Sequence, residues 1–134
     1  MDWGRTGAAF VAAGLHRLPA SQKVTPLTQY RSLISSSFFC LDKGASLFSG
    51  RPPILDKRWC YIPPPLDLCE DDVYNGQERL DAAVKRLDSN GWNVDHQVYT
   101  ATWLRATSLL APIREEILGM SLDAHVQYTK AQVE

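Results

Sequence analysis

The sequence predicts an all-α fold, an irregular array of about five helices. Two observations carry this. Long stretches place apolar residues at alternating steps of three and four, and glycine or proline closes several of them. No stretch alternates apolar and polar residues over a strand's length, so no β-strand is expected.

The clearest stretch runs from Leu27 to Phe48. Leu27, Tyr30, Ile34, Phe38, Leu41, Ala45 and Phe48 share one face of a helix, because 3.6 residues make a turn. Thr25 and Pro26 supply a cap and a first-turn residue without an N–H to satisfy. Gly50 is the expected stop in the left-handed conformation, and Pro52 and Pro53 prevent a restart. Ser35, Ser36 and Ser37 weaken the middle, since their hydroxyls compete for backbone partners.

Before it, Trp3, Gly7, Phe10 and Gly14 share a helical face behind Asp2 as a cap. After it, Arg51 to Asp72 is irregular, with Pro63, Pro64 and Pro65 favouring polyproline II. An extended strap across helices is the preferred reading of this run over a packed peptide ligand. Glu70, Asp71 and Asp72 charge the start of a further helix, where acidic residues suit the positive end. Gln77 to Asp88 forms a helix with Leu80, Val84 and Leu87 inward, closed by Ser89-Asn90-Gly91. Asn93 or Asp95 is expected to cap the next helix, whose stripe is Tyr99, Trp103, Ala106, Leu110, Ile113, Ile117 and Met120. Pro112 should kink it and Gly119 end it, with a last amphipathic helix over Leu122 to Val133.

Leu41-Asp42-Lys43, Gly50-Arg51-Pro52-Pro53 and Pro63-Pro64-Pro65, in this order around an aromatic-rich helix, carry a resemblance. They are similar to the middle homology region, the regulatory domain, of fungal zinc-binuclear-cluster transcription factors. Gly14-Leu15-His16, Leu66-Asp67-Leu68, Leu87-Asp88, Gly91-Trp92-Asn93 and Ile113 to Leu118 extend the likeness through most of the chain. The chain departs from the pattern where Lys43 replaces arginine and only Arg31 remains of a basic run. The resemblance implies a fragment of a larger helical regulatory domain over residues 1–134, working in the nucleus with transcription machinery or co-regulators. It implies control of DNA-binding and activating segments outside this chain. Zinc is expected only in the six-cysteine cluster of full family members, which this sequence lacks.

Composition narrows the alternatives. At 45% hydrophobic residues the chain is too apolar for disorder, and a net charge of −1 offers no basic surface for nucleic acid. No run reaches the ~20 apolar residues of a membrane span. Cys40, Cys60 and Cys69 are spaced far too widely for a zinc knuckle, so no metal or other cofactor is expected. His16, His96 and His125 are scattered, and no nucleophile elbow or phosphate loop occurs, so an all-α enzyme is disfavoured.

Asp42, Gly50, Arg51, Pro52 and Pro53 form the expected structural motif. If the chain folds back after Gly50, Arg51 can form a bidentate bond to Asp42 or cover orphan carbonyls. A ligand-sensing module is the alternative, with Trp59, Trp92 and Arg51 as candidates for an effector pocket between helices. A nonfunctional truncated product is a further alternative. The first and last helices of a fragment should leave apolar faces wet, so self-association or a loosely packed state is expected.

Overall fold

The computed structural model describes residues 2–20, 22–123 and 131. Among the described residues five helices follow in order: α1 (Trp3–Ala12), α2 (Pro26–Ser49), α3 (Glu70–Tyr74), α4 (Gln77–Arg86) and α5 (Thr100–Leu122). Among the described residues there is no strand, only an isolated parallel bridge between Arg17 and Tyr61. The fold is all-α.

The helix ends are written locally. Asp2 caps α1, its carboxylate accepting from the Arg5 N–H at 3.2 Å. At α2, Thr25 Oγ1 accepts from the Thr28 N–H at 3.1 Å while the Thr25 N–H donates to Thr28 Oγ1 at 2.8 Å, with Pro26 as the first helical residue. Gly50 ends α2 at φ 64°, and its N–H donates to the Ser46 carbonyl at 2.9 Å. The start of α5 differs from expectation. Thr102 Oγ1 accepts from the Tyr99 N–H at 2.9 Å there, whereas the Asn93 side chain is held by Asp67. The helix also continues past Pro112 and Gly119 to Leu122, because an interior glycine weakens a helix without breaking it. The expected last helix lies, from residue 124 on, outside the described residues except for 131.

α2 packs along α5, and residues 51–69 run as an irregular strap across the pair before α3 and α4 close the far end. One core gathers Phe10, Phe38, Phe39, Leu55 and Ala111, with Phe10 stacked on Phe38 at 4.6 Å between ring centres. A second gathers Leu68, Val73, Leu80 and Ala83. Gly7 lets α1 ride close over the strap, because a Cβ there would stand 2.7 Å from Ile54. α1 therefore keeps Phe10 buried and Trp3 half-buried, while Val11 on its outer side is exposed.

Most large residues of the expected stripes face outward, although Phe38 is buried as expected. α2 buries Gln29, Ser32, Ser35, Ser36, Asp42, Lys43 and Ser46 beside Phe38 and Phe39, while Leu27, Tyr30, Ile34, Leu41 and Phe48 face outward. Phe48 is 96% exposed. α5 buries Ala101, Ala111 and Leu118, whereas Trp103, Leu110, Ile113, Ile117 and Met120 are exposed. For Gln29, Ser32, Asp42 and Lys43 of α2 the physical reason is the strap. Irregular backbone brings carbonyl and N–H groups with no ladder of their own, and the helix facing them must offer hydrogen bonds rather than methyl groups.

Two glycines of α2 should respond oppositely to alanine. Neither has a heavy atom within 4 Å of the added Cβ, so backbone conformation alone decides. Gly44→Ala, in the helix interior, should stabilise by about 0.5–1 kcal/mol. Gly50→Ala should destabilise by about 1–2 kcal/mol because an L-residue pays for the left-handed conformation. Urea melts of the two variants with the same sign would contradict the assignment.

Candidate functional site

Two charged neighbours sit in the middle of α2 with no exposure at all, Asp42 and Lys43. Each has a geometrical reason. Asp42 Oδ1 accepts from the Ile54 N–H at 3.0 Å and Oδ2 from the Leu55 N–H at 2.9 Å, pinning the strap just after its turn. Lys43 Nζ donates to the Leu55 carbonyl, lies 3.3 Å from Glu115 Oε2 of α5 and sits 4.3 Å from the centre of the Phe39 ring. Glu115 Oε1 in turn accepts from the Lys57 N–H at 2.8 Å. Arg51 completes the group at 3.5 Å from Asp42 Oδ1. Two cations and two carboxylates thus join α2, the strap and α5 with no net charge. Neutrality matters because an uncompensated charge at this depth costs several kcal/mol.

The Asp42–Arg51 pair anticipated from the sequence therefore forms, but not as a bidentate bond. Backbone N–H groups occupy both carboxylate oxygens, and Arg51 takes one flank while its Nη1 donates to the Pro52 carbonyl at 3.0 Å. Gly50 turns the chain, and Pro52 and Pro53 lead it back past α5. The three candidates for an effector pocket have separate aromatic–cation partners. Arg51 stands over Trp3 at 5.7 Å, Trp59 is covered by Arg58 at 5.1 Å, and Trp92 by Arg105 at 5.2 Å. Trp3, Trp59 and Trp92 thus each meet a different arginine.

Lys43 is what sequence reasoning missed. A signal existed: between Arg31 and Arg51 the only charges are Asp42 and Lys43, adjacent in an otherwise neutral helix. The strap's other clamps were missed as well. Gln29 Nε2 donates to the Leu66 carbonyl at 2.7 Å, Ser32 Oγ to the Pro63 carbonyl at 3.0 Å, and Arg105 Nη1 to the Pro65 carbonyl at 2.7 Å. Buried Asp67 holds Asn93 through the backbone N–H at 3.0 Å and holds Thr102 through its hydroxyl at 2.5 Å.

Beside the charge cluster lies a cleft of about 350 Å³ between α2, the strap and α5. Ser36 and Phe39 of α2, Cys60 and Ile62 of the strap, and Ser108 and Pro112 of α5 line it. Burial pushes the Cys60 thiol up, so it stays protonated near neutral pH and is no nucleophile. Among the described residues no three His, Cys, Asp or Glu gather as metal ligands would.

Comparison with known proteins found no matching family model, no matching curated protein and no matching solved structure.

Two predictions test this site. Asp42→Ala should cost about 3–5 kcal/mol, the penalty for leaving Lys43 and Arg51 with one carboxylate between them and two strap N–H groups without an acceptor, and chemical denaturation reads it directly. A cost no larger than that of a surface carboxylate would show that the cluster does not clamp the strap. At the rim, the Arg58 guanidinium hydrogen-bonded to Asp56 holds that carboxyl down at about 2 against an ordinary 3.8. A depressed carboxyl contributes stability above its unfolded value and loses it as pH falls through the folded one. Its contribution should therefore fade between about pH 4 and pH 2. Carboxyl NMR of Asp56 should show the low midpoint, and Arg58→Gln should return it towards 3.8.

Proposed function

We propose that this chain is the interaction portion of a fungal transcription factor's regulatory domain. It works in the nucleus by restraining or releasing DNA-binding and activating segments outside these residues. The observation that carries the reading is the set of exposed apolar side chains on α2 and α5, among them Leu27, Tyr30, Leu41 and Phe48 and Trp103, Leu110, Ile113 and Ile117. Large apolar side chains left exposed in number on two packed helices suit an interaction surface. The motif around Asp42, Gly50 and Arg51 supports the family reading, and a net charge of −1 suits protein rather than nucleic-acid partners. No helix among the described residues is long and apolar enough to cross a membrane.

A reporter assay in fungal cells tests the proposal. The full chain is placed between a DNA-binding domain and an acidic activating segment. Reporter output should fall relative to a flexible linker of equal length. Leu41→Asp with Ile113→Asp, both on exposed positions, should restore it. Surface changes of this kind should alter stability by no more than about 0.5 kcal/mol each. Unchanged output with the parent chain, or full repression by the stable double variant, would defeat the reading.

A further inference from the structure

The cleft between α2, the strap and α5 has one polar feature that the fold itself leaves unanswered. A serine inside a helix ordinarily bonds the carbonyl four residues back. Ser46 does so to Asp42 at 2.8 Å, Ser108 to Leu104 at 2.7 Å and Ser121 to Ile117 at 2.7 Å. Ser35 and Ser36, 0% and 1% exposed, make no hydrogen bond, and of the two Ser36 stands in the cleft wall. A buried hydroxyl left in this state costs about 1–3 kcal/mol, so a partner entering from the cleft is favoured by that amount before any other contact forms.

The rest of the lining defines what can enter. Phe39, Ile62, Pro63 and Pro112 are apolar, and the Ser108 hydroxyl is already engaged. The one charged group at the cleft, Lys57, has its ammonium on Glu116 at 2.6 Å. An ionic ligand would have to shed water without finding a free counter-charge, which is unfavourable by several kcal/mol. A highly hydroxylated metabolite would meet few hydrogen-bonding side chains, Ser36, the Cys60 thiol and the half-exposed Tyr61, and lose the rest of its hydration. The volume of about 350 Å³ lies at the small end of ligand sites.

We propose that this cleft binds a neutral, largely apolar small molecule with one hydrogen-bonding group, of alkylphenol size, and that Ser36 is its polar contact. The proposal stands apart from the transcriptional reading, since it rests on the cleft alone. Because the three walls come from α2, the strap and α5, an occupant bridges the same three elements as the charge cluster.

Amide-correlation NMR of the full chain tests it with two probes, para-propylphenol and propylbenzene, on the parent protein and Ser36→Ala. Both probes should shift cleft-lining signals saturably in the parent. The phenol should bind about tenfold tighter, the equivalent of one hydrogen bond at about 1.4 kcal/mol. In Ser36→Ala the preference should shrink to about twofold or less, with propylbenzene affinity unchanged. The variant should melt no lower than the parent, since it deletes an unsatisfied group and keeps the packing atom. No saturable shift from either probe, shifts centred outside the cleft, or an undiminished preference in Ser36→Ala would each overturn the proposal.

Discussion

The strap over residues 51–69 must have its backbone satisfied, and the rest of the structure is arranged around that demand. Pro52, Pro53, Pro63, Pro64 and Pro65 cannot donate, so the strap cannot sit in a ladder, yet its carbonyls still require donors. α2 answers with Gln29, Ser32 and Lys43 and α5 with Arg105, while Asp42 receives the N–H groups of Ile54 and Leu55. Each such bond contributes only about 1 kcal/mol net, whereas each group left bare would cost about 1–3 kcal/mol. The penalty for omission, more than the gain from formation, explains why so many polar side chains lie inside one small helical chain.

That choice fixes the outside. A helix has one circumference, and a face given to Ser32, Ser35, Ser36, Asp42 and Lys43 is unavailable to leucine and phenylalanine. The apolar residues of α2 accordingly occupy the opposite side along a helix of about 36 Å, at 1.5 Å per residue. α5 repeats the pattern with alanine inward: Ala111, fully buried, fits against the core of Phe38, Phe39 and Leu55 while Trp103 is 70% exposed. Small inward residues bring the helices close, and the large residues become surface.

Much of the fold was legible in the sequence because caps, stops and turns are local. Asp2, Thr25 with Pro26, Gly50 and the acidic start of α3 all act within a turn of themselves, and each acts as its residue type dictates. Which way a stripe faces is not local. The three-four spacing of Leu27, Tyr30, Ile34 and Leu41 identifies a face but not its partner, and the usual assumption that apolar means inward fails when the neighbour is irregular backbone. The charge cluster was half legible for the same reason. Asp42 and Arg51 stand on either side of a turn that brings them together, whereas the contact of Lys43 with Glu115 spans two distant helices. Trp59 and Trp92 were grouped with Arg51 by residue type, whereas each of the three groups has a different aromatic–cation partner.

The cleft and the charge cluster share structure, and this sets what an occupant of the cleft can influence. Lys57 belongs to both: it borders the cleft, its N–H bonds Glu115, and Glu115 meets Lys43. A molecule in the cleft therefore touches the strap one link from the buried ions. A ligand shifts a conformational equilibrium only by its difference in affinity between the two states. Binding that demands the present strap position would strengthen the clamp that turns the polar face of α2 inward, and so would hold the apolar stripe outward. Binding that favours a displaced strap would strip Asp42 and Lys43 of backbone partners, and the large cost of unpaired buried charge opposes it. The energetic asymmetry favours an occupant that locks the exposed stripes in place over one that hides them.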